Sequence, residues 1–264
     1  MLNFQRQMNQ IKTNVPIVLL SFLPFSIILG SGISLVNILL LSIYFIFIYF
    51  SENNIKIKDT KSLLLLVILN LYLIFNSLIS LDISTGIYRN FGFIRFILFF
   101  LMINYLFFVN KNNSNIFKIW TTIFFIVLID IYIERFTGSN ILGFGKIEIN
   151  GVPQPHGQRV ISFFKDEPIA GAFICGFSFI VLGYILNSLR SQKIFKIFGL
   201  IIILACLIGI ILTGERSNGF KALLGFLIFI TIIDYLKLKV KILFFSSFLA
   251  IFFFTINFSD YIKY

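Results

Sequence analysis

Two arginines stand in polar islands of an otherwise apolar chain. Arg159 belongs to "GVPQPHGQRVISFFKDEP" (151–168) and Arg216 to "LTGERSNGF" (212–220). A guanidinium is a planar fork of donors that grips phosphate or carboxylate in two places and stays charged when partly desolvated. Two such forks at one membrane depth could face a single diphosphate. The first island also holds His156, the only imidazole among 264 residues. On a flexible Pro-Gln-Pro-His-Gly loop it could act as a general base, or it could be a solvated loop residue. Glu215 could orient Arg216. Upstream, Arg95 in "GFIRFILFF" (92–100) and Arg89 in "SLDISTGIYRNF" (80–91) are further candidates for contact with an anionic substrate, although the second stretch also reads as a surface-lying linker. With one His, two Cys (175 and 206) inside apolar runs and no Asp-x-Asp, the sequence predicts no metal and no cofactor.

The elements that must position these groups are membrane helices. The chain is 58% hydrophobic with 36 Phe and only 12% charged residues, and its mean hydropathy is +0.98. Soluble domains have about 45–50% apolar and about 25% charged residues. Apolar runs recur along residues 1–264, each long enough to cross a hydrocarbon core of roughly 30 Å as a helix. The reading is a single all-α transmembrane domain, a polytopic helix bundle of about nine spans. They fall at about 15–30, 33–50, 62–80, 91–109, 116–133, 168–187, 194–212, 219–236 and 240–257. "GSG" (30–32) divides the first two, and Pro24 is expected to kink the first. "MLNFQRQMNQIKTN" resembles a signal-peptide start without a small-x-small cleavage site, so an uncleaved first helix is expected.

Cationic loops are retained on the cytoplasmic side. With a cytoplasmic N-terminus, the inner segments carry two Arg and eleven Lys, and the outer segments carry five Arg (89, 95, 135, 159, 216) and four Lys. The outer face therefore selects guanidinium. Each outer arginine could serve an anionic ligand, snorkel at a helix end, or pair with acids such as Glu134, Asp166, Glu167 and Glu215. The net charge of +11 needs no nucleic acid, because the basic residues are loop charges and form no continuous basic face.

The longest outer loop runs from about 134 to 167 and closes on "KDEP", where Asp166 or Glu167 can cap the next helix and Pro168 can occupy its first turn. The apolar "VISFF" after Arg159 can lie on the membrane surface or dip into the bundle. In "AGAFICG", Gly171 with Cys175 and Ala172 with Gly176 form small-x-x-x-small pairs suited to close helix contact. Asp130, within a span, is expected to pair with Arg135 or Arg95. Trp120, Tyr105 and Tyr132 read as interface anchors.

The pair "RVISFFKDEPIAGAF" and "LTGERSNGF", each at the outer end of a span, resembles the Arg-x-x-(Gly/Ser)-Phe-x-x-x-Pro and Thr-Gly-(Ser/Glu)-Arg signatures of the O-antigen ligase and O-antigen polymerase superfamily. The early hairpin and "GFIRFILFF" fit as well. The resemblance implies a metal-independent, multi-pass glycosyltransferase of the bacterial inner membrane. Such an enzyme takes a glycan from an undecaprenyl-diphosphate carrier at the periplasmic face. It passes the glycan to a sugar hydroxyl of another carrier-linked chain or of the lipid A core, with membrane lipid as its other partner. Arg159 and Arg216 would then bind the carrier diphosphate, with Arg95 as a weaker third. Members usually continue for several more spans, with a larger periplasmic loop whose His is thought to activate the acceptor. This sequence stops at "NFSDYIKY", so a C-terminal truncation is expected, and His156 is the only imidazole to supply the base. A transporter or flippase of an anionic lipid-linked or small solute would also use outer arginines, but would bring midspan charges and broken helices. A non-catalytic membrane subunit would leave them silent.

Overall fold

The computed structural model describes residues 14–51, 55, 57–109, 114–145, 148–149, 152–153, 159–165, 167–188 and 193–232, with a few positions beyond 238. His156, Asp166 and most of the expected ninth span lie outside the described residues. The backbone divides into two compact units, Met1–Ile119 and Trp120–Tyr264.

In the first unit, helical residues 14–21 lead through a turn at Phe22 into α1 (Leu23–Leu29). Phe22 itself keeps helical backbone angles, and Pro24, which has no N–H to give to Leu20, interrupts the helix there, where a kink was expected. A single residue, Gly30, then separates α1 from α2 (Ser31–Ser51). Its φ of 127° is one that L side chains rarely adopt, which accounts for the break at the expected place. The two helices share a polar contact in which the Asn37 amide donates to the Leu19 carbonyl at 3.1 Å and to Ser26 Oγ at 3.3 Å.

Next come α3 (Thr60–Leu78), α4 (Ile83–Phe91) and α5 (Ile94–Val109). The stretch read as a surface-lying linker is helix α4, which has no buried residue and packs against α3. Gly86 approaches Ser77 so closely that a Cβ would lie 3.1 Å from the Ser77 Cβ. Further along, the Asn90 amide donates to the Leu73 carbonyl at 2.9 Å, and the Asn70 amide donates to the Asn90 carbonyl at 3.0 Å. Reciprocal Asn bonds of this kind tie a helix of modest hydrophobicity to its neighbour while none of its residues is buried. The apolar stretch that can cross a membrane therefore starts well before residue 91, at Ile83, and runs to Phe108. Helix α5 packs on α2, with Leu41, Phe45, Ile48, Met102 and Leu106 buried.

Both loop-borne aspartates of this unit are N-caps. Asp59 accepts from Ser62 N and Asp82 from Thr85 N. Hydrogen bonds from Thr85, side chain first and backbone second, hold the Asp82 carboxyl below its ordinary value. A depressed folded value means that the cap's contribution is complete above an unfolded Asp's pKa of about 3.9. It is lost as pH falls through the lower folded value. Protection of the amides at residues 83–86, measured against their intrinsic exchange rates, should therefore fall as the pH drops below about 4, and Asp82→Ala should lower protection at neutral pH and abolish that acid step. An unchanged pH profile in the variant would assign the step elsewhere.

Helix α6 (Ser114–Thr137) crosses the division between the units. From Trp120 onward it belongs to the second unit, with α7 (Ala170–Ser188), α8 (Lys193–Leu212) and α9 (Arg216–Ile232). Helix α7 packs on α8 and on α9. A two-residue antiparallel ladder pairs β1 (Glu148–Ile149) with β2 (Val152–Pro153), and a 3-10 turn covers Ser162–Phe164. The core includes Phe124, Val127, Ile131, Ile174, Ile203, Cys206, Ile210 and Phe226. Trp120 belongs to it and is not an interface anchor: it is only 6% exposed and meets Phe177 edge-on at 5.4 Å. Tyr132 turns its hydroxyl to the Ala205 carbonyl at 2.7 Å, and in the first unit Tyr105 is likewise buried.

Among the described residues, five helical stretches are long and apolar enough to cross a membrane: Ser31–Ser51, Thr60–Leu78, Ile83–Phe108, Ser114–Thr137 and Ala170–Ser188. Ile201–Leu212 and Ser217–Ile232 are shorter apolar helices.

Candidate functional site

In the second unit the loop between α6 and α7 is tied to the end of α6 by two carboxylates one turn apart. Asp130 and Glu134 face one side of the helix, 0% and 4% exposed. Asp130 accepts from Ile141 N at 2.9 Å and from Ser162 Oγ at 2.6 Å. Glu134 accepts from Ile161 N at 2.9 Å and from Ser162 N at 2.5 Å. A loop amide and a serine hydroxyl thus give Asp130 donors that offset its burial.

Ser162 is the knot of this arrangement. Its carbonyl accepts from the Asn140 amide at 2.5 Å, while Asn140 Oδ1 accepts from Phe144 N at 2.7 Å. With N–H, hydroxyl and carbonyl all held, Ser162 keeps a φ of 51°, uncommon for a side-chain-bearing residue. Gly145, at φ 86°, lies so close to Glu134 that an added Cβ would fall 2.2 Å from its Oε1. The "VISFF" piece dips into the bundle, with Val160, Ile161 and Phe164 buried and Phe164 against Phe173.

This knot sets the residues just before it, Arg159 and Val160, against the Thr213–Gly214 turn. Val160 N donates to the Thr213 carbonyl at 3.3 Å. Gly214, at φ 77°, lies under Arg159, whose Cγ is 3.7 Å from where a Gly214 Cβ would be. Two stretches some fifty residues apart are thereby joined at the backbone. Arg159 is exposed, and Arg216 is the first residue of α9, immediately beyond the turn. The Arg216 side chain, like His156, lies outside the described residues.

Glu215 ties the second motif to the start of α7. Its Oε1 accepts from Gly171 N at 2.7 Å, and its other oxygen accepts from the Asn218 amide. A carboxylate at a helix N-terminus meets both an orphan N–H and the positive end of the dipole. So the cap of α7 comes from the second motif and not from Glu167. Pro168 likewise falls outside the helix, because α7 begins at Ala170. Of the two small-residue pairs, only Gly171 is in close contact, packing against Thr213 and Glu215; Gly176 has nothing within 4 Å.

Arg89 and Arg95 belong to the first unit, where both line one cleft of about 600 Å³. Among the described residues no group of His, Cys, Asp and Glu could hold a metal ion. Sequence reasoning singled out Arg159 and Arg216 but missed Asn140, Ser162 and the loop donors that Asp130 and Glu134 accept from. The available signal was Asp-x-x-x-Glu on an apolar helix, which puts two carboxylates on one face.

These helices mark the chain as a helical membrane protein. No protein-family model matches it, and no curated protein or solved structure is significantly similar to it.

Proposed function

We propose that the chain is a multi-pass glycosyltransferase of the O-antigen ligase and polymerase kind, working at the periplasmic face of a bacterial inner membrane. Its spans would number about nine, with the N-terminus cytoplasmic. What supports the reading is the meeting of the two arginine-bearing stretches, with Arg159 lying over Gly214 and Val160 bonded to Thr213.

In this reading the Arg159 and Arg216 guanidiniums grip the diphosphate of an undecaprenyl-linked glycan. An acceptor hydroxyl attacks the anomeric carbon, and the bond from that carbon to the diphosphate oxygen breaks. The acceptor proton passes to a base, for which His156 is this chain's candidate. The electron pair of the broken bond stays on the diphosphate, where the two cations stabilise it. A fixed pair of forks suits this task because the charge grows on a group already bound between them.

Arg159→Lys and Arg216→Lys in the full-length gene of the native host test it. Each keeps the charge and loses the fork, and each should cut polymer or ligated glycan by about 10²–10³-fold while the protein still inserts. Normal glycan ladders from both variants would defeat the assignment. One observation favours a second reading, transport of an anionic solute or lipid: Arg95 lies within the membrane-length stretch Ile83–Phe108, where that stretch is broken between two helices. Transport predicts substrate movement across vesicles without any change in glycan length.

A further inference from the structure

We propose that the cleft between α3 and the α4–α5 junction is an intramembrane binding site for a phosphate ester. The inference stands whether or not the transferase reading does.

The cleft is lined by Asn76, Ser77 and Ser80 of the α3 end, and by Arg89, Asn90 and Arg95 across from them. None of its lining residues is a carboxylate. Arg95 lies inside a stretch apolar enough to cross a membrane, as the second residue of α5. A cation inside such a stretch is costly unless it serves a pathway, a ligand or a partner. Its Nε is buried and has no hydrogen-bond partner. The guanidinium carbon lies 5.0 Å from the centre of the Phe96 ring, a contact that leaves the donor fork unspent. The exposed Arg89 adds a second fork to the same space.

Helix α5 begins one residue before Arg95, after a junction where Phe93 N bonds to Asn90 O and Phe96 N to Phe93 O, steps of three residues in place of four. A helix start inside a membrane stretch adds partial positive charge to that of the two arginines. The neutral lining has fewer donors to offer than its composition implies. The Ser77 hydroxyl donates to the Leu73 carbonyl, the Ser80 hydroxyl to the Ser77 carbonyl, and the Asn90 amide to the Leu73 carbonyl. The charge at the site therefore comes from the two guanidiniums, with the bonded polar groups holding the walls in place.

A tetrahedral phosphate takes forks from two directions at once, whereas a single carboxylate is filled by one. A volume of about 600 Å³ is many times that of a bare ion and falls within the range of sites for small organic ligands. Shape and charge together select a phosphate carried on a larger body. That body is either a lipid, with its headgroup in the cleft, or a soluble organophosphate.

The test uses the full chain in phosphatidylcholine nanodiscs, with phosphatidylglycerol as the lipid probe and glycerol phosphate as the soluble one. Retained lipid is read by native mass spectrometry and soluble binding by calorimetry. Wild type is expected to bind at least one probe. Arg89→Gln, an exposed substitution, should weaken binding about tenfold, and Arg89→Gln with Arg95→Gln about a hundredfold. Arg95→Lys, which keeps the charge, guards against a folding artefact and should fall between wild type and the double variant. Binding of phosphatidylglycerol alone identifies a lipid headgroup site, and binding of glycerol phosphate identifies a soluble ester. The proposal is overturned if wild type binds neither probe, or binds them no better than the double variant. Glycan ladders of the Arg159 and Arg216 variants read a different unit, so the two proposals fail separately.

Discussion

Glu134→Ala should cost about 3–5 kcal/mol and release the loop between α6 and α7. The carboxylate takes two backbone amides, Ile161 N and Ser162 N, in a place with almost no water access. Its removal leaves both amides buried and unbonded, at about 1–3 kcal/mol each, and opens a cavity beside Gly145. Glu134→Gln keeps the shape but presents an NH₂ to one of the amides, so it should lose roughly half as much. Asp130→Asn should lose less again, because the Ser162 hydroxyl can rotate to suit the new group. The Asp130→Asn, Glu134→Ala double variant should fall short of additivity, since both carboxylates hold Ser162. Denaturant unfolding in detergent, with amide exchange at residues 160–164, measures all four. A Glu134→Ala protein within about 0.5 kcal/mol of wild type, its loop still protected, would mean that the packing of Val160, Ile161 and Phe164 suffices.

The second large effect is steric, and it has an internal control. At Gly171 an added Cβ would lie 2.6 Å from Thr213 Oγ1 and 3.0 Å from the Glu215 carboxylate. Thr213 is fully buried and its hydroxyl donates to the Ile210 carbonyl, so it has nowhere to retreat. Gly171→Ala should therefore cost about 1–3 kcal/mol and strain the Glu215 cap. Five residues on, the same change at Gly176 meets no atom within 4 Å. Gly176→Ala should stabilise the helix by about 0.5–1 kcal/mol. Opposite signs for one chemical change separate contact from helix propensity. Loss of protection at the Val160 amide in Gly171→Ala alone would show that the contact reaches the Arg159 segment. Equal shifts in both variants would deny Gly171 its close contact.

Helical membrane character was legible because it rests on composition and run length, which do not depend on tertiary partners. The break at Gly30 was legible for the same reason: a glycine between apolar runs carries its own backbone preference. Helix α4 was not. Its attachment to α3 depends on the Asn70 and Asn90 amides finding backbone carbonyls across the contact, and no residue pattern in "SLDISTGIYRNF" announces those partners. The carboxylates misled in another way. Reading Asp130 and Glu134 as halves of ion pairs assumes that a buried negative charge needs a positive one, yet four loop donors meet the same requirement. Glu215 was visible as a motif residue, but its bond to Gly171 joins positions 44 apart, beyond any local signal.

The bonds around the loop between α6 and α7 also carry a timetable. Those from Asp130 and Glu134 to Ser162 close over 28–32 residues, while the Glu215 bond to Gly171 closes over 44. A ribosome adding about 5–20 residues per second delivers Glu215 about 2–9 s after Gly171. The α6 carboxylates can capture Ser162 before "LTGERSNGF" has left the ribosome. The loop is then already seated on one helix when the turn that completes the arrangement arrives. Arg159 waits in position for Thr213 and Gly214, and the α7 N-terminus receives its cap last. Birth order thus becomes assembly order, with the most local ties made first and the joint between the two motifs made at the end.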